Sequence, residues 1–476
     1  MNERMKRKLI YRISIVMAFT LFTLWIPLGF SKRNINYEFV ESFDMVYEQL
    51  KENYVLGEYR ETDWVGLYDK YIQGIQMAEQ EEDAYKAFAL LKQFSMEFYD
   101  GHVNVGFGLN GEEYEQRYKE EYAGADYGFS IVHHADGNYV FANVDKELPI
   151  YELGVREGME IVALNNESIE EYVKKVHSWF QAFPVAEDEE FFKGLAVMSE
   201  LQGDLQLTYK DNSQKEHTIT LEEQGRYAER FDETYEILVH NNQNGNLTYN
   251  MLDEDTAYFS LTNMLIDESI GREMLEEEVV QDRSYDELHA QTKYLLEKMK
   301  EQGAKNIIID MRGNGGGYAE VSMAIASCFL DQPVTFKEGI YEYGKKEYGV
   351  YETILCPAEN EWGNGKVIIL VNHNTVSAAE IFLYFMRHQE NVTVMGFTNS
   401  CGAAMSVKVA DAPLFYMAYS GMLTLDENNE ILVDPGRDRQ CKIPVDIRIP
   451  LDDKAIQKLF VEKKDYVLQY ALEYLH

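Results

Sequence analysis

Residues Lys366–His388 read KVIILVNHNTVSAAEIFLYFMRH, and this stretch restricts the fold more than any other. Val367 to Val371 is an unbroken apolar run of β-branched residues and Leu, the pattern of a strand buried on both faces of a mostly parallel sheet. Asn372-His373-Asn374-Thr375 is turn chemistry, and from Ala378 onward Ile381, Phe382 and Phe385 share one helical face. Ser377 therefore sits where a strand hands over to a helix. A hydroxyl there feels the positive end of the helix dipole, and the Ala378 N–H is placed to meet a developing oxyanion. The same residues, Ser377-Ala378-Ala379-Glu380, also spell a capping box that satisfies orphan N–H groups. Taken alone they leave both readings open, with the cap the commoner.

A second unit of the same kind lies upstream. Asn306–Leu330 reads NIIIDMRGNGGGYAEVSMAIASCFL, a buried strand, a turn, then a helix from about Ala319. Gly315, Gly316 and Gly317 exceed what a turn requires and let backbone N–H groups approach a ligand as an anion nest. A phosphate loop would follow its glycines with Lys and Ser/Thr, whereas Tyr318-Ala319-Glu320 follows here.

The motifs DMRGNGGG (310–317) and NTVSAAE (374–380), each preceded by its strand, resemble those of the serine peptidases that include the C-terminal processing proteases and the tricorn core proteases. The resemblance implies an α/β fold with a crotonase/ClpP-like catalytic domain and no cofactor. It implies Ser377 as nucleophile, with N–H groups of Gly316 and Ala378 forming an oxyanion hole. C-terminal processing proteases carry a general-base Lys in a turn after the next strand. This chain has Asn399-Ser400-Cys401-Gly402-Ala403-Ala404 there, with no Lys. The tricorn branch uses a His instead, and Asp100-Gly101-His102, together with Glu61-Thr62-Asp63-Trp64, resembles it; the implied base is His102. A Ser hydroxyl barely ionises at neutral pH, and an imidazole of pKa about 6.5 suits the proton transfer. Gly101 stands where that branch has a Ser. The implied orienting acid near the last strands is Asp438, with Asp100 and Glu380 as rivals. His373, though near Ser377 in sequence, is expected to point away.

Residues 34–118 read as a small helical domain. Phe39, Phe43, Val46 and Leu50 form one apolar face, Tyr68, Tyr71, Ile72 and Ile75 a second behind a Thr62-Asp63 cap, and Ala84, Phe88, Leu91 and Phe94 a third. Residues 119–224 change to short strands, with Ile169–Phe180 expected as a helix. Residues 154–169, GVREGMEIVALNNESI, resemble the most recognisable stretch of PDZ domains, a fold that captures extended C-termini by strand addition. A PDZ-like spacer without a ligand is the alternative. Residues 225–476 then form the catalytic domain, opening on the strand TAYFSL at 256–261 and an acidic helical stretch, 267–302.

Met1 to Lys8 holds four Lys/Arg, and Ile13 to Phe30 is free of charge. At ~1.5 Å per residue that run covers about 27 Å, enough for most of a ~30 Å hydrocarbon core. Residues 1–33 are thus expected to be a cytoplasmic stub and single-pass anchor in the cell membrane, leaving the body extracytoplasmic. The net charge of −38 argues against nucleic-acid partners. The four cysteines are too few for a disulfide framework; Cys401 and Cys441 flank the last strands and are a candidate pair. The expected function is a membrane-anchored serine endopeptidase acting on polypeptides, captured in one version through their C-termini. The alternatives are an inactive scaffold that retains peptide binding and, by fold analogy alone, an acyl-CoA enzyme. Oligomeric state is not legible.

Overall fold

A parallel sheet carries the two strand–turn–helix units side by side. The computed structural model describes residues 38–108, 110–265, 280–341, 348–358 and 361–476; the expected membrane anchor at 13–30 lies outside them. Among the described residues no helix is long and apolar enough to cross a membrane.

The sheet runs β17-β14-β13-β10-β9-β8, from β17 (Ile447–Arg448), β14 (Val392–Gly396), β13 (Val367–Leu370), β10 (Asn306–Asp310) and β9 (Thr256–Ser260) to β8 (Thr248–Met251). All neighbours are parallel except β8 with β9. β10 and β13 are in register, Ile307 to Asp310 beside Val367 to Leu370, so both strands end at one level and their turns meet. Ile307–Ile309 of β10 and all of β13 are apolar because both faces are covered. Phe259, Ile307, Ile309 and Ile369 point into a core with Val321, Ile325, Phe382 and Phe385 from helices Ala319–Ala326 and Ala378–Met386, and with Leu296 and Met299 from helix Val280–Glu301. Each such side chain is worth about 1.5–3 kcal/mol when fully buried. Helix Tyr466–Leu475 packs against β10 and β13. It is anchored by Arg312, which forks onto Asp310 (2.6 and 2.9 Å) and onto Asp465 (2.7 and 2.8 Å). The acid and base of the DMRG motif therefore seal the end of β10.

A second, antiparallel sheet has the order β1-β16-β11-β12, with β15 (Ser406–Asp411) also on β16; the strands are β1 (Asn104–Phe107), β16 (Phe415–Leu425), β11 (Val334–Tyr341) and β12 (Tyr348–Leu355). β1 belongs to the segment expected as a separate helical domain, yet it pairs with β16 from Asn104↔Ala418 to Phe107↔Phe415. Residues 39–476 accordingly form one contact unit. The three expected helical faces are present as helices Phe39–Asn53, Trp64–Gln80 and Ala84–Met96, with Asp63 capping the second through the Gly66 N–H at 3.0 Å.

The third sheet, β2-β3-β4-β6-β7 with β5 on β4, is contained in 119–224; its strands are β2 (Ser130–His133), β3 (Tyr139–Ala142), β4 (Glu160–Leu164), β5 (Glu167–Ser168), β6 (Leu205–Lys210) and β7 (Glu216–Leu221). The helix expected over Ile169–Phe180 stops at Val173. Beyond it the chain leaves helical geometry to bury Val176, Trp179 and Phe183, and tertiary packing against Phe231 overrides local propensity. All four cysteines are free, so the expected Cys401–Cys441 pair does not form.

Candidate active site

Ser377 has φ 63° and ψ −126°, a conformation that L-residues rarely adopt and that costs of order 1–3 kcal/mol. The surroundings enforce it. Val376 N–H donates to the Asn314 carbonyl (2.9 Å) and Ser377 N–H to the Ala403 carbonyl (3.0 Å), pinning the turn between the glycine run and the loop after β14. Asn372 ties the two turns together by accepting the Gly313 N–H at 3.0 Å. The capping box also forms, with the Glu380 carboxylate accepting the Ser377 N–H at 3.2 Å. The cap accounts for Glu380 but not for the strained backbone at Ser377, which is the kind of outlier that marks a reactive turn.

Glu380 does more than cap. It is fully buried and its two oxygens also accept the N–H groups of Gly402 (2.7 Å) and Ala403 (2.9 Å). Burial pushes its carboxyl up to about 7, against the pull of those hydrogen bonds. One carboxylate thus joins the head of the Ser377 helix to the Thr398–Ala404 loop.

Ala378 is buried, and its N–H, first in the helix, has no partner among the described residues. Gly316 lies against it. A Cβ on Gly316 would fall 2.7 Å from the Ser377 Cβ and 2.9 Å from the Ala378 nitrogen, and its φ of +88° disfavours any side chain. The Gly316 N–H itself is turned away and donates to the Asn314 Oδ1 at 3.0 Å, while its carbonyl accepts from Met264. The expected donor is therefore engaged in this structure, because Asn314, buried in the turn, supplies the nearest acceptor. The N–H groups of Gly315 and Gly317, both exposed, have no partner among the described residues. Gly316→Ala is expected to displace the Ser377 turn, lowering kcat by at least about 10²-fold and the melting temperature with it, because the added Cβ has no room against Ser377 and Ala378 and the positive φ disfavours it; steady-state kinetics beside a thermal melt checks it.

His102 is 7% exposed and sits in the turn before β1. Asp100 holds that turn: its Oδ1 accepts the His102 backbone N–H (2.9 Å) and its Oδ2 the Tyr54 hydroxyl (2.9 Å). Arg60 caps the end of the preceding helix through the carbonyls of Phe98 and Tyr99, both 2.9 Å, and reaches the Pro435 carbonyl at 3.2 Å. Gly101 packs directly on the Thr398–Ala404 loop, where a Cβ would meet the Cys401 Sγ at 2.5 Å and the Ala403 Cβ at 3.1 Å. The His102 turn and Ser377 thus grip the same loop from two sides. The His102 Nδ1 is 3.4 Å from the Ser420 hydroxyl, and no hydrogen bond joins His102 to Ser377. Burial, aided by Arg60 and opposed by Asp100, lowers the imidazole pKa, so the ring is neutral at neutral pH.

Residues 256–428 match Peptidase family S41. The chain is 23% identical over 408 residues to the carboxy-terminal processing protease CtpA of Bacillus subtilis strain 168, covering 84% of this chain and 68% of that protein. Over 111 residues, 23% of this chain and 22% of the relative, it is 30% identical to a probable CtpA-like serine protease of Staphylococcus haemolyticus strain JCSC1435. Among solved structures, mature CPAF complexed with lactacystin superposes with a TM-score of 0.57 at 12% identity, over 91% of this chain and 97% of that one. The S41 match takes in both motifs, DMRGNGGG and NTVSAAE, with their strands.

The chain is a serine-type peptidase, and its acidic residues are arranged otherwise than the sequence suggests. Asp438 is exposed and accepts from its own turn, the Gln440 N–H at 3.3 Å. Four residues earlier Asp434 is fully buried, accepts the Ala404 N–H at 3.1 Å, and leaves its Oδ1 without a partner. Burial first, then the charges of Asp100 and Glu380, raise its pKa well above the carboxylate range, against Arg60. The acid that lies with Asp100 and Glu380 is thus Asp434. The signal was present in the sequence: Asp434 follows Leu432-Val433, whereas Asp438 lies between two arginines. His373 is buried among Phe183, Phe192 and Tyr235, its Nε2 2.6 Å from the Tyr235 hydroxyl, and burial pushes it down to about 3.

Proposed function

We propose that this peptidase cleaves polypeptides through an acyl-enzyme on Ser377 with His102 as general base. The observation that carries the reading is the strained Ser377 backbone at a helix head, with the partnerless Ala378 N–H beside it and the glycine run in contact. In the first step the Ser377 Oγ attacks the peptide carbonyl carbon while its proton passes to the His102 imidazole. The carbonyl oxygen takes the negative charge and is met by the Ala378 N–H and an N–H of the glycine run. The C–N bond then breaks, and the amine leaves with the proton from the imidazolium. Water repeats the sequence on the ester, giving its proton to His102 and releasing the new carboxyl group. Proton transfer requires the His102 ring to come within hydrogen-bond reach of the Ser377 Oγ, and catalytic hydrogen bonds in ligand-free enzymes are often long.

Two finer parts belong to the same reading. The relatives' names speak of carboxy-terminal processing and fit a polypeptide substrate cut near its C-terminus. The basic stub and uncharged run at 1–33 support a membrane anchor with the catalytic body outside. One experiment addresses both the chemistry and the side of the membrane. A membrane-impermeant fluorophosphonate is expected to label the full-length protein on intact cells and in purified form, and Ser377→Ala to abolish both signals. Labelling only after lysis would reject the extracytoplasmic body. No labelling of either preparation would favour the peptide-binding scaffold.

A further inference from the structure

β2 is the outer strand of the third sheet, the edge where a peptide strand would add to a PDZ-like fold. Phe141, opposite Ile131, sends its N–H to the Met159 carbonyl on the far side, so the Ile131–Phe141 pair is of the non-hydrogen-bonded kind. The N–H and C=O of Ile131 consequently point off the edge. That edge is covered by helix Ala186–Val197, packed backbone against backbone. A Cβ on Gly194 would lie 2.6 Å from the Ile131 carbonyl oxygen and 3.1 Å from the Val132 Cα. An added strand needs about 4.8 Å of lateral spacing, which this contact leaves nowhere.

The other end of the helix reaches the catalytic loop. Asp188, 2% exposed, accepts both the backbone N–H (3.1 Å) and the side-chain amide (3.2 Å) of Asn399, and pairs with Arg448 on β17. Phe192 packs on His373 with ring centroids 4.5 Å apart. Just before the helix, Pro184 and Val185 lie on Gly402, where a Cβ would meet them at 3.5 and 3.2 Å. Asn399 and Gly402 belong to the loop whose Ala403 carbonyl holds the Ser377 N–H.

We propose that helix Ala186–Val197 is a built-in occupant of the β2 edge and a strut positioning the Thr398–Ala404 loop. The third sheet then does not read substrate C-termini by strand addition at β2. It braces the Ser377 turn, with Asp188 as a positioning residue 189 positions upstream of the nucleophile. A polypeptide could pair with β2 only by withdrawing Asp188 and Phe192 from the catalytic side. The consequence for turnover rests on the Ser377 reading; the filled edge and the braced loop do not.

The test uses the full chain with Asp188→Asn, which keeps side-chain size, and Gly194→Val, which forces the helix off β2. Amides of Asn399–Ala404 are expected to exchange hydrogen at least about ten-fold faster in both variants. The kcat for a polypeptide should fall at least about ten-fold with KM within about two-fold, as expected when alignment and not binding is lost. Unchanged exchange at the loop in Asp188→Asn, or faster exchange with wild-type kcat, overturns the strut. Should Gly194→Val fail to fold, Asp188→Asn decides alone. A wild-type enzyme inactive on every substrate removes the Ser377 reading, and loop exchange still decides the strut. A free-carboxylate peptide that binds the wild-type protein better than its amide and protects the Ile131 and His133 amides overturns the occupied edge.

Discussion

Ser377→Ala and His102→Ala are each expected to remove most of the turnover, on the order of 10⁴–10⁶-fold in kcat, and the double variant to be little worse than either. The non-additivity follows from the chemistry. Without the base the hydroxyl stays protonated, and without the hydroxyl the base has nothing to activate, so the pair acts as a unit. What remains after either change is the rate due to the oxyanion donors and binding. Stability should respond differently to the two variants. Ser377→Ala removes a hydroxyl from a half-buried site, but any Cβ-bearing residue at 377 keeps the φ of +63°, so the strain stays. His102→Ala opens a cavity in a buried turn and should lower the melting temperature more. Kinetics of the three variants beside their melts checks both statements. A Ser377→Ala protein that still cleaves, or two single losses that multiply in the double variant, would refute the pair.

Glu380→Gln is expected to be the next most damaging change and to alter the pH profile in a definite direction. The ionised carboxylate presents only acceptors to the N–H groups of Ser377, Gly402 and Ala403. A Gln turns an NH₂ toward at least one of those donors. Leaving a buried donor unsatisfied costs about 1–3 kcal/mol, and the Ser377 turn loses its tie to the loop. In the wild-type protein the same weakening occurs on protonation, below about 7. Activity should therefore rise with pH through about 7 and the rise should vanish in Glu380→Gln. The limb due to His102, whose pKa is lowered, should lie below about 6.5 and persist in that variant. Stability runs the other way. The folded-state carboxyl binds its proton more tightly than the unfolded one, so the folded form is favoured below about 4.5 and that contribution is lost as pH rises to about 7. The loss is on the order of 3 kcal/mol and should be absent from Glu380→Gln. A wild-type rate profile with a single limb below about 6.5 would exclude Glu380 from the ionisations that matter.

The parts of this protein legible in the chain are those whose cause is local. β10 and β13 announce themselves as apolar runs because strands covered on both faces have no polar position to spend. The turns that follow are spelled in Asn, Thr and Gly, because their backbone geometry demands those residues. Ser377 stands out for the same reason, as a polar residue wedged between a buried strand and an amphipathic helix. The tertiary structure alone decided which groups surround it. The His102 turn arrives at the Ser377 loop because β1 pairs with β16 some 310 positions away, and no local pattern encodes that partner. Asp434 and not Asp438 joins the cluster because the packing around Leu432 and Val433 buries it, an outcome that the apolar pair before it only hints at in the sequence. The Gly316 N–H turns to Asn314 because a side-chain acceptor two residues away outcompetes open solvent in a buried turn. The β2 edge of the third sheet is filled because Gly194, unremarkable in the sequence, lets a helix backbone sit on a strand backbone. Local composition sets the elements and their chemistry; contacts between residues hundreds of positions apart set burial, charge and access.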